Sequence, residues 1–139
     1  MDFNTISLLF KHAKGYGHAK IRKAGVSDTE HKICTFLYFH SDAYQNMIAN
    51  YLMLDKTTVA KAIVSLEERG LIKRIQNPAN RRKNILNITD EGKKTIADVV
   101  DIYDEWLEKI ESCLSDAEKE QFHDYCIRIL EKAKEISVK

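Results

Sequence analysis

The side chains that could do chemistry in this sequence are basic, and they are concentrated in one stretch. Residues 56–83 carry eight Lys or Arg side chains against two Glu, a net charge of +6, whereas the whole chain of 139 residues has a net charge of only +1. The positive charge is therefore segregated from an acidic remainder. Such an excess favours contact with a polyanion such as the phosphate backbone of DNA. Charge alone is equally compatible with a solvated surface.

The first part of the basic stretch predicts an amphipathic helix. Four apolar side chains recur at helical spacing and would face a core: Val59, Ala62, Ile63 and Leu66. The opposite, outward face carries Lys56, Thr57, Thr58, Lys61 and Val64. Asp55 is a suitable N-cap and Gly70 suits the left-handed position after a helix, which places the helix at residues 56–69. A helix with small polar and basic side chains fits the major groove of DNA.

A basic β-hairpin is predicted directly after this helix. Residues 71–76 and 83–88 form two short strand-like runs, and the second has the two-residue period of a strand. The segment between them, Asn77-Pro78-Ala79-Asn80, has the composition of a turn. Arg81, Arg82 and Lys83 follow the turn. Such a hairpin can follow the DNA backbone or enter a minor groove.

Two further helices are predicted to precede and position the basic helix. Ser27 and Glu30 form a capping box that opens the first of them. A short helix follows Ser41-Asp42, ends near Leu54 and runs into the basic helix through a very short connection. Two helices joined in this way and followed by a hairpin form a winged helix-turn-helix. This layout favours DNA binding over a merely solvated surface.

Long amphipathic helices are predicted at both ends of the chain. The first covers residues 4–23, and Gly15 and Gly17 are expected to bend or weaken it. The next begins at Thr89 and is expected to run for about five or six turns. The last begins at a capping box in residues 115–118.

These terminal helices are predicted to form a dimer interface. Residues 96–139 carry 12 acidic against 6 basic side chains, which makes them poor candidates for DNA contact. The helices have more apolar surface than a small core can cover, and a second copy of the chain is its natural partner. The side chains assigned to this interface are Phe3, Ile6, Phe10, Phe122, Ile129, Leu130 and Ile136.

Composition argues against several other classes of protein. The chain is 44% hydrophobic and 31% charged, which indicates one soluble globular domain, and the amino terminus does not have the pattern of a targeting segment, so we expect a cytoplasmic protein. Cys34, Cys113 and Cys126 lack the spacing of a zinc site or a disulfide framework. The five histidines are scattered, and no phosphate-binding loop or nucleophile elbow is present. We therefore expect no enzymatic activity, no cofactor and no metal site.

Four short segments of the sequence, taken in their order and spacing, are similar to the motifs of a known family. They are Leu54-Asp55-Lys56-Thr57-Thr58-Val59, Leu66-Glu67-Glu68-Arg69-Gly70-Leu71-Ile72-Lys73-Arg74, Asn77-Pro78-Ala79-Asn80-Arg81-Arg82 and Ile88-Thr89-Asp90-Glu91-Gly92. In order and spacing they resemble the MarR family of transcriptional regulators, named for multiple antibiotic resistance. The flanking helices fit as well, so the resemblance covers nearly the whole chain.

The resemblance implies a mainly α fold with a small β-wing and a symmetric homodimer that binds double-stranded DNA. Carried over by position, Lys56, Thr57, Thr58 and Lys61 would meet bases or phosphates, and Val64 could touch a thymine methyl group. Arg81 or Arg82 would be the arginine of the wing tip, with Lys83 beside it. Gln45 lies where the first helix of the motif meets a phosphate.

The wing departs from the family pattern at two positions. The family has aspartates where this chain has Asn77 and Asn80, so the usual acidic partner of the wing arginine is absent. The wing is then either more mobile or held by a neutral hydrogen bond. Its tip is also more basic, which should strengthen the salt dependence of phosphate contact.

Three further hypotheses about function stay open. The family often binds a small aromatic or anionic effector, for which His12, Tyr16, Phe36 and Tyr38 are weak candidates, since each is better explained as core or surface. Cys34 could be a redox-sensing thiol, although its apolar setting favours inert packing. The winged helix could also be a protein-interaction module without DNA binding, but only Val64 offers an apolar anchor on the outward face.

The prediction is thus a single MarR-type domain over residues 1–139. Residues 27–88 form the winged helix-turn-helix lobe, and residues 1–26 and 89–139 form the dimerisation helices. The expected function is that of a ligand-responsive repressor.

Overall fold

The computed structural model describes residues 1–80 and 83–137. Within them the chain forms seven α-helices and a three-stranded sheet. The helices are α1 (Phe3–Lys23), α2 (Asp28–Phe39), α3 (Gln45–Leu52), α4 (Lys56–Glu68), α5 (Asp90–Ile96), α6 (Ile102–Ile110) and α7 (Asp116–Ser137). The strands are β1 (Ala43–Tyr44), β2 (Ile72–Ile75) and β3 (Ile85–Ile88). The predicted fold class, mainly helical with a small β-wing, is confirmed.

Contacts divide the chain into two compact units, Met1–Tyr103 and Asp104–Lys139. The first contains α1 to α5, the sheet and the start of α6. The second contains the rest of α6, a 3-10 turn at Glu111–Cys113 and α7. The winged helix-turn-helix lies entirely within the first unit.

The sheet is antiparallel, with the order β1-β3-β2. In the wing, Ile72 lies opposite Ile88 and Ile75 lies opposite Ile85. Strand β1 was not predicted, because two residues are too few to show the period of a strand. Its Ala43 lies opposite Leu86, so β1 joins the beginning of α3 to the base of the wing.

The core confirms the predicted inward face of α4. Val59, Ile63 and Leu66 are fully buried, and Ala62 is 9% exposed. They belong to a single apolar cluster that includes side chains from α2, α3 and all three strands. Burying this stripe orients α4 so that its opposite face points away from the core.

The predicted ends of the helices are largely confirmed. The carboxylate of Asp55 accepts the N–H of Thr58 at 2.7 Å, and Gly70 has a left-handed backbone with φ of +72°. Ser27 and Glu30 form both hydrogen bonds of their capping box. Thr89 Oγ1 accepts the N–H of Gly92 at 3.0 Å and caps α5. These caps satisfy amides that the first turn of a helix leaves unpaired.

The prediction of one long helix after Thr89 is wrong. α5 ends at Ile96 and α6 begins at Ile102, and between them the N–H of Val99 bonds to the carbonyl of Ile96 at 2.9 Å in a tight turn. The carbonyl oxygen of Val99 lies 2.6 Å from Nε2 of His31, so a side chain of α2 takes up an acceptor that a continuous helix would use. His31 lies 68 residues away along the chain, and no local pattern reveals this contact.

Helix α1 continues through both of its internal glycines. A Cβ atom at Gly17 would lie 2.8 Å from the ring of Tyr103, whereas one at Gly15 would meet nothing within 4 Å. Gly17 therefore makes room for Tyr103, and Gly15 has no such role within its own chain.

Candidate nucleic-acid interface

The outward face of α4 is polar, basic and accessible. Lys56, Thr57 and Lys61 are exposed, and Val64 is 49% exposed. Thr58 is half-buried, and its hydroxyl donates a hydrogen bond to Oδ2 of Asp55 at 2.6 Å. The helix thus presents the predicted side chains together on one accessible surface, with Thr58 held by the cap.

Asp55 keeps a negative charge at the start of α4. The hydrogen bonds from the hydroxyl and the backbone N–H of Thr58 lower the pKa of its carboxyl below the usual 3.8. An ionised carboxylate satisfies the positive end of the helix dipole. The first turn of α4 is therefore a poor place for a phosphate, and its side chains are better suited to base edges.

The beginning of α3, in contrast to that of α4, is suited to binding an anion. Its N-cap residue, Tyr44, makes no side-chain hydrogen bond to the first turn, and Gln45 is the first residue of the helix. A helix start without a side-chain cap leaves amide N–H groups that can bind an anion.

Met53, in a left-handed conformation with φ of 54°, ends α3 and leads into α4. This short connection confirms the predicted helix-turn-helix.

A groove of about 550 Å³ lies between the start of α3 and the base of the wing. The residues that line it are Tyr44, Gln45, Asn46, Met47, Arg74, Lys83, Asn84 and Leu86. The ammonium group of Lys83 is 5.8 Å from the centre of the Tyr44 ring, a cation–π arrangement. The predicted Gln45 and Lys83 are thus brought together.

Tyr44, Asn46 and Asn84 also line this groove and were not predicted from the sequence. No motif marks them, because they meet only when β1 pairs with β3. The side-chain oxygen of Asn84 is buried and has no hydrogen-bond partner in the described part of the chain. An unpaired buried acceptor is unusual in a folded protein.

The wing is attached to α4 by an ion pair. Arg74 on β2 donates two hydrogen bonds to Oε1 of Glu67, from Nε at 3.2 Å and from Nη2 at 2.7 Å. In the turn, Oδ1 of Asn77 accepts the N–H of Ala79 at 2.9 Å. The neutral hydrogen bond considered for the wing arginine falls on Arg81 or Arg82, which lie outside the described residues. Lys83 is exposed.

Two of the predicted DNA contacts, Arg81 and Arg82, lie outside the described residues. Their role at the wing tip stays a prediction.

The side chains assigned to a dimer interface are largely accessible in the single chain. Phe3, Phe10, Ile129, Leu130 and Ile136 are each more than half exposed, while Ile6 and Phe122 are half-buried. Helix α7 contains no buried residue in its described length. Exposed apolar side chains at this density are typical of a surface that another molecule covers.

Three of the four effector candidates contact neighbouring side chains. Phe36 is buried and its ring contacts those of His40 and Tyr51, while Tyr38 is 40% exposed and contacts Phe39. The ammonium group of Lys20 lies 4.8 Å from the ring centre of Tyr16. His12 is exposed on α1. Their role in effector binding stays a prediction.

Cys34 does not have the surroundings of a redox sensor. The side chain is fully buried, and burial, reinforced by the Glu30 carboxylate, raises the pKa of its thiol to about 12. A sensing cysteine needs an accessible thiolate.

Among the described residues, no group of three or more His, Cys, Asp or Glu side chains is arranged to hold a metal ion, and none of the helices is long and apolar enough to cross a membrane.

The helix-turn-helix of α3 and α4, followed by the β2–β3 wing, defines a winged helix-turn-helix protein. The profile of the MarR family matches residues 26–83. The chain is similar to the HTH-type transcriptional regulator BilQ of Clostridioides difficile (strain CD3), with 30% identity over 95 residues, and the match spans 63% of this chain and 64% of that protein.

Solved structures extend the similarity over nearly the whole chain. A MarR transcriptional regulator from Methanosarcina mazei Go1 has a TM-score of 0.83 and 27% identity, and 96% of each chain is covered. The S. aureus MepR–DNA complex has a TM-score of 0.83 and 24% identity, with 95% of this chain and 98% of that chain covered. Residues 26–83, the winged-helix part of the chain, thus match the MarR family, and the fold of nearly the whole chain is similar to that of a MarR transcriptional regulator.

Proposed function

We propose that the protein binds double-stranded DNA at a roughly palindromic operator and represses transcription. The observation that carries this proposal is the accessible face of α4, where Lys56, Thr57, Lys61 and Val64 lie together opposite a buried apolar stripe. In this proposal α4 enters the major groove. Thr58, whose hydroxyl donates to Asp55, presents its remaining acceptor capacity to a base edge.

The groove between α3 and the wing supplies phosphate contacts in this proposal. The start of α3 offers amide groups and Gln45, and Lys83 adds a positive charge across the groove. These contacts carry little sequence information but set the register of the protein on the duplex. Arg81 and Arg82 are assigned to the wing tip from the sequence alone, as minor-groove or backbone contacts.

The active form in this proposal is a homodimer. The exposed apolar side chains of α1 and α7 support an interface with a second copy of the chain, with Phe10 and Ile129 exposed by 71% and 68%. A two-fold dimer would place its two α4 helices in half-sites about one turn of DNA apart. Such a protein would act in the cytoplasm, as the sequence predicts.

Regulation by a small aromatic or anionic effector is the last part of the proposal. An effector that favours a different separation of the two lobes would prevent both α4 helices from engaging their half-sites together. The affinity would then fall without any change in a DNA-contacting residue. His12, Tyr16, Phe36 and Tyr38 remain the side chains to substitute first.

Fluorescence anisotropy with the protein's own upstream promoter DNA tests the proposal. We expect tight binding that prefers the promoter to a scrambled duplex and weakens between two salt concentrations. Lys61→Ala should lower the slope of log affinity against log salt by about one if Lys61 contacts a phosphate. Lys32→Ala, which removes an exposed lysine of α2, serves as the control.

The second candidate function is a protein-interaction module without DNA binding. Equal, weak binding to both duplexes at both salt concentrations would favour it and contradict the operator proposal. The accessible face of α4 opposes this alternative, since Val64 is its one large apolar side chain among the residues named above.

A further inference from the structure

The C-terminal end of α4 is fastened to the corner between α1 and α2 by a single arginine. Arg69, the residue that follows α4, donates from Nη1 to the carbonyl oxygen of Gly25 at 2.6 Å and from Nη2 to Oε2 of Glu30 at 2.9 Å. Gly25 lies just after α1, in a left-handed conformation with φ of +94°. One guanidinium therefore bridges the end of α1, the beginning of α2 and the end of α4.

Glu30 is held in place independently of Arg69. Its Oε1 accepts the N–H of Ser27 at 2.8 Å in the capping box of α2, and its Oε2 also accepts the hydroxyl of Ser65 on α4 at 2.9 Å. Burial alone would raise the pKa of Glu30, but the hydrogen bonds from Ser27 and Ser65 and the charge of Arg69 lower it overall. The carboxylate thus stays ionised and joins α4 to α2 through two donors.

We propose that Arg69 and Glu30 are positioning residues that set the angle of α4 relative to α1, and so the spacing of the two DNA-reading helices in a dimer. The proposal rests on the proposed function and adds a specific geometric control to it. Helix α4 has 13 residues and so is about 20 Å long. A tilt of about 5° at the end held by Arg69 would displace the opposite end, at Lys56, by roughly 2 Å.

The positions of the two residues separate this role from direct DNA contact and from bulk stability. Arg69 lies at the opposite end of α4 from Lys56 and Thr57, and its side chain is 40% exposed. Glu30 is only 12% exposed, but its capping bond to Ser27 does not depend on Arg69, and the apolar stripe of α4 is buried without the bridge. Loss of the bridge should therefore leave the lobe folded with α4 less well oriented.

Binding to whole and half operators gives the first test. With Arg69→Met or Glu30→Gln, we expect full-operator affinity to fall by roughly tenfold or more, because the two half-sites no longer fit together. Affinity for a single half-site should stay within about twofold, since one lobe still carries every contacting side chain. In Glu30→Gln the side-chain carbonyl oxygen can still accept the N–H of Ser27 in the capping box. An amide NH2 group then replaces the oxygen that accepts from Ser65 and Arg69.

Two control variants distinguish positioning from a simple loss of charge. Arg22→Met removes a charge from an exposed arginine of α1 near the same corner, and it should retain the full-operator affinity. Arg69→Lys keeps the charge but cannot bridge Gly25 and Glu30 with one planar group, so it should not restore binding. Full restoration by lysine, or equal losses on whole and half operators, would overturn the proposal.

A distance measurement tests the geometry without DNA. Spin labels at Lys14→Cys on α1 and Thr57→Cys on α4, in a chain with Cys113→Ser and Cys126→Ser, report the angle by pulsed electron paramagnetic resonance. Dilution with unlabelled protein isolates the distance within one chain. We expect a narrow distribution that broadens or shifts in Arg69→Met and in Glu30→Gln, and an unchanged distribution in both would refute the proposal. If the parent protein does not prefer operator DNA, the proposed function fails, and the distances still decide the positioning role.

Discussion

Arg74 on β2 donates two hydrogen bonds to the same atom of α4, Oε1 of Glu67, at 3.2 and 2.7 Å. The pair holds the first strand of the wing against the helix assigned to the major groove. It also neutralises one of the eight basic side chains of residues 56–83. The number of basic side chains available to a phosphate is thus smaller than the sequence suggests.

Glu67→Gln should release Arg74 and strengthen non-specific DNA binding. The salt slope should become steeper by up to about one, because the guanidinium becomes available to a phosphate. Glu68→Gln is the matched control, since it removes the same charge from an exposed neighbour without freeing Arg74. Salt titrations on a scrambled duplex compare the two variants, and equal slopes would show that Arg74 is not made available.

The thiol of Cys34 should be unreactive in the native protein. Its pKa of about 12 leaves almost no thiolate at neutral pH, and the side chain is fully buried. Brief alkylation at pH 7, followed by mass spectrometry of peptides, should leave Cys34 unmodified until the chain is unfolded. Rapid native modification of Cys34, or peroxide-sensitive operator binding abolished by Cys34→Ser, would reinstate the redox-sensing reading.

The same substitution should have opposite effects at two glycines. A Cβ atom at Gly92 would lie 2.1 Å from the carbonyl oxygen of Leu71, so Gly92→Ala forces backbone atoms apart and should cost about 1–3 kcal/mol of stability. Gly15→Ala meets no atom within 4 Å and should stabilise α1 by about 0.5–1 kcal/mol. Urea unfolding of the two variants measures both changes. A stabilised Gly92→Ala variant would contradict the close packing of α5 on Leu71.

His31 should make the stability of the protein depend on pH. Burial lowers the pKa of His31 below its usual 6.5, against the opposing effects of the Val99 hydrogen bond and Asp28. As pH falls below about 6.5, the unfolded chain binds a proton that the folded chain resists, so stability falls. The contribution is fully present above that pH.

Thermal unfolding at pH 7 and pH 5 measures this contribution. His31→Gln, which keeps a donor for the Val99 carbonyl, should show a smaller loss of unfolding temperature between the two pH values than the parent protein. His12→Gln controls for removal of an exposed imidazole of α1. An identical pH dependence in the parent and His31→Gln would show that His31 does not cause the loss of stability at low pH.

The sequence by itself determined the elements whose signals are local. The apolar stripe of α4, the caps at Asp55, Ser27 and Thr89, and the glycine that follows α4 were all predictable, because helical period and capping depend on residues only a few positions apart. The outward residues of α4 followed from the same period, since burying one face exposes the other. The wing followed from two strand-like runs around a turn.

Only the tertiary structure decided which polar groups meet across elements. The groove beside Tyr44 depends on β1 pairing with β3, the break after α5 coincides with the contact of His31 with Val99, and Arg69 reaches Gly25 from 44 residues away. Periodicity reports which face of an element is buried, but not which distant partner a hydrogen-bonding group finds there. The partners are chosen when the apolar faces pack, because packing brings those groups within the short, directional range of a hydrogen bond.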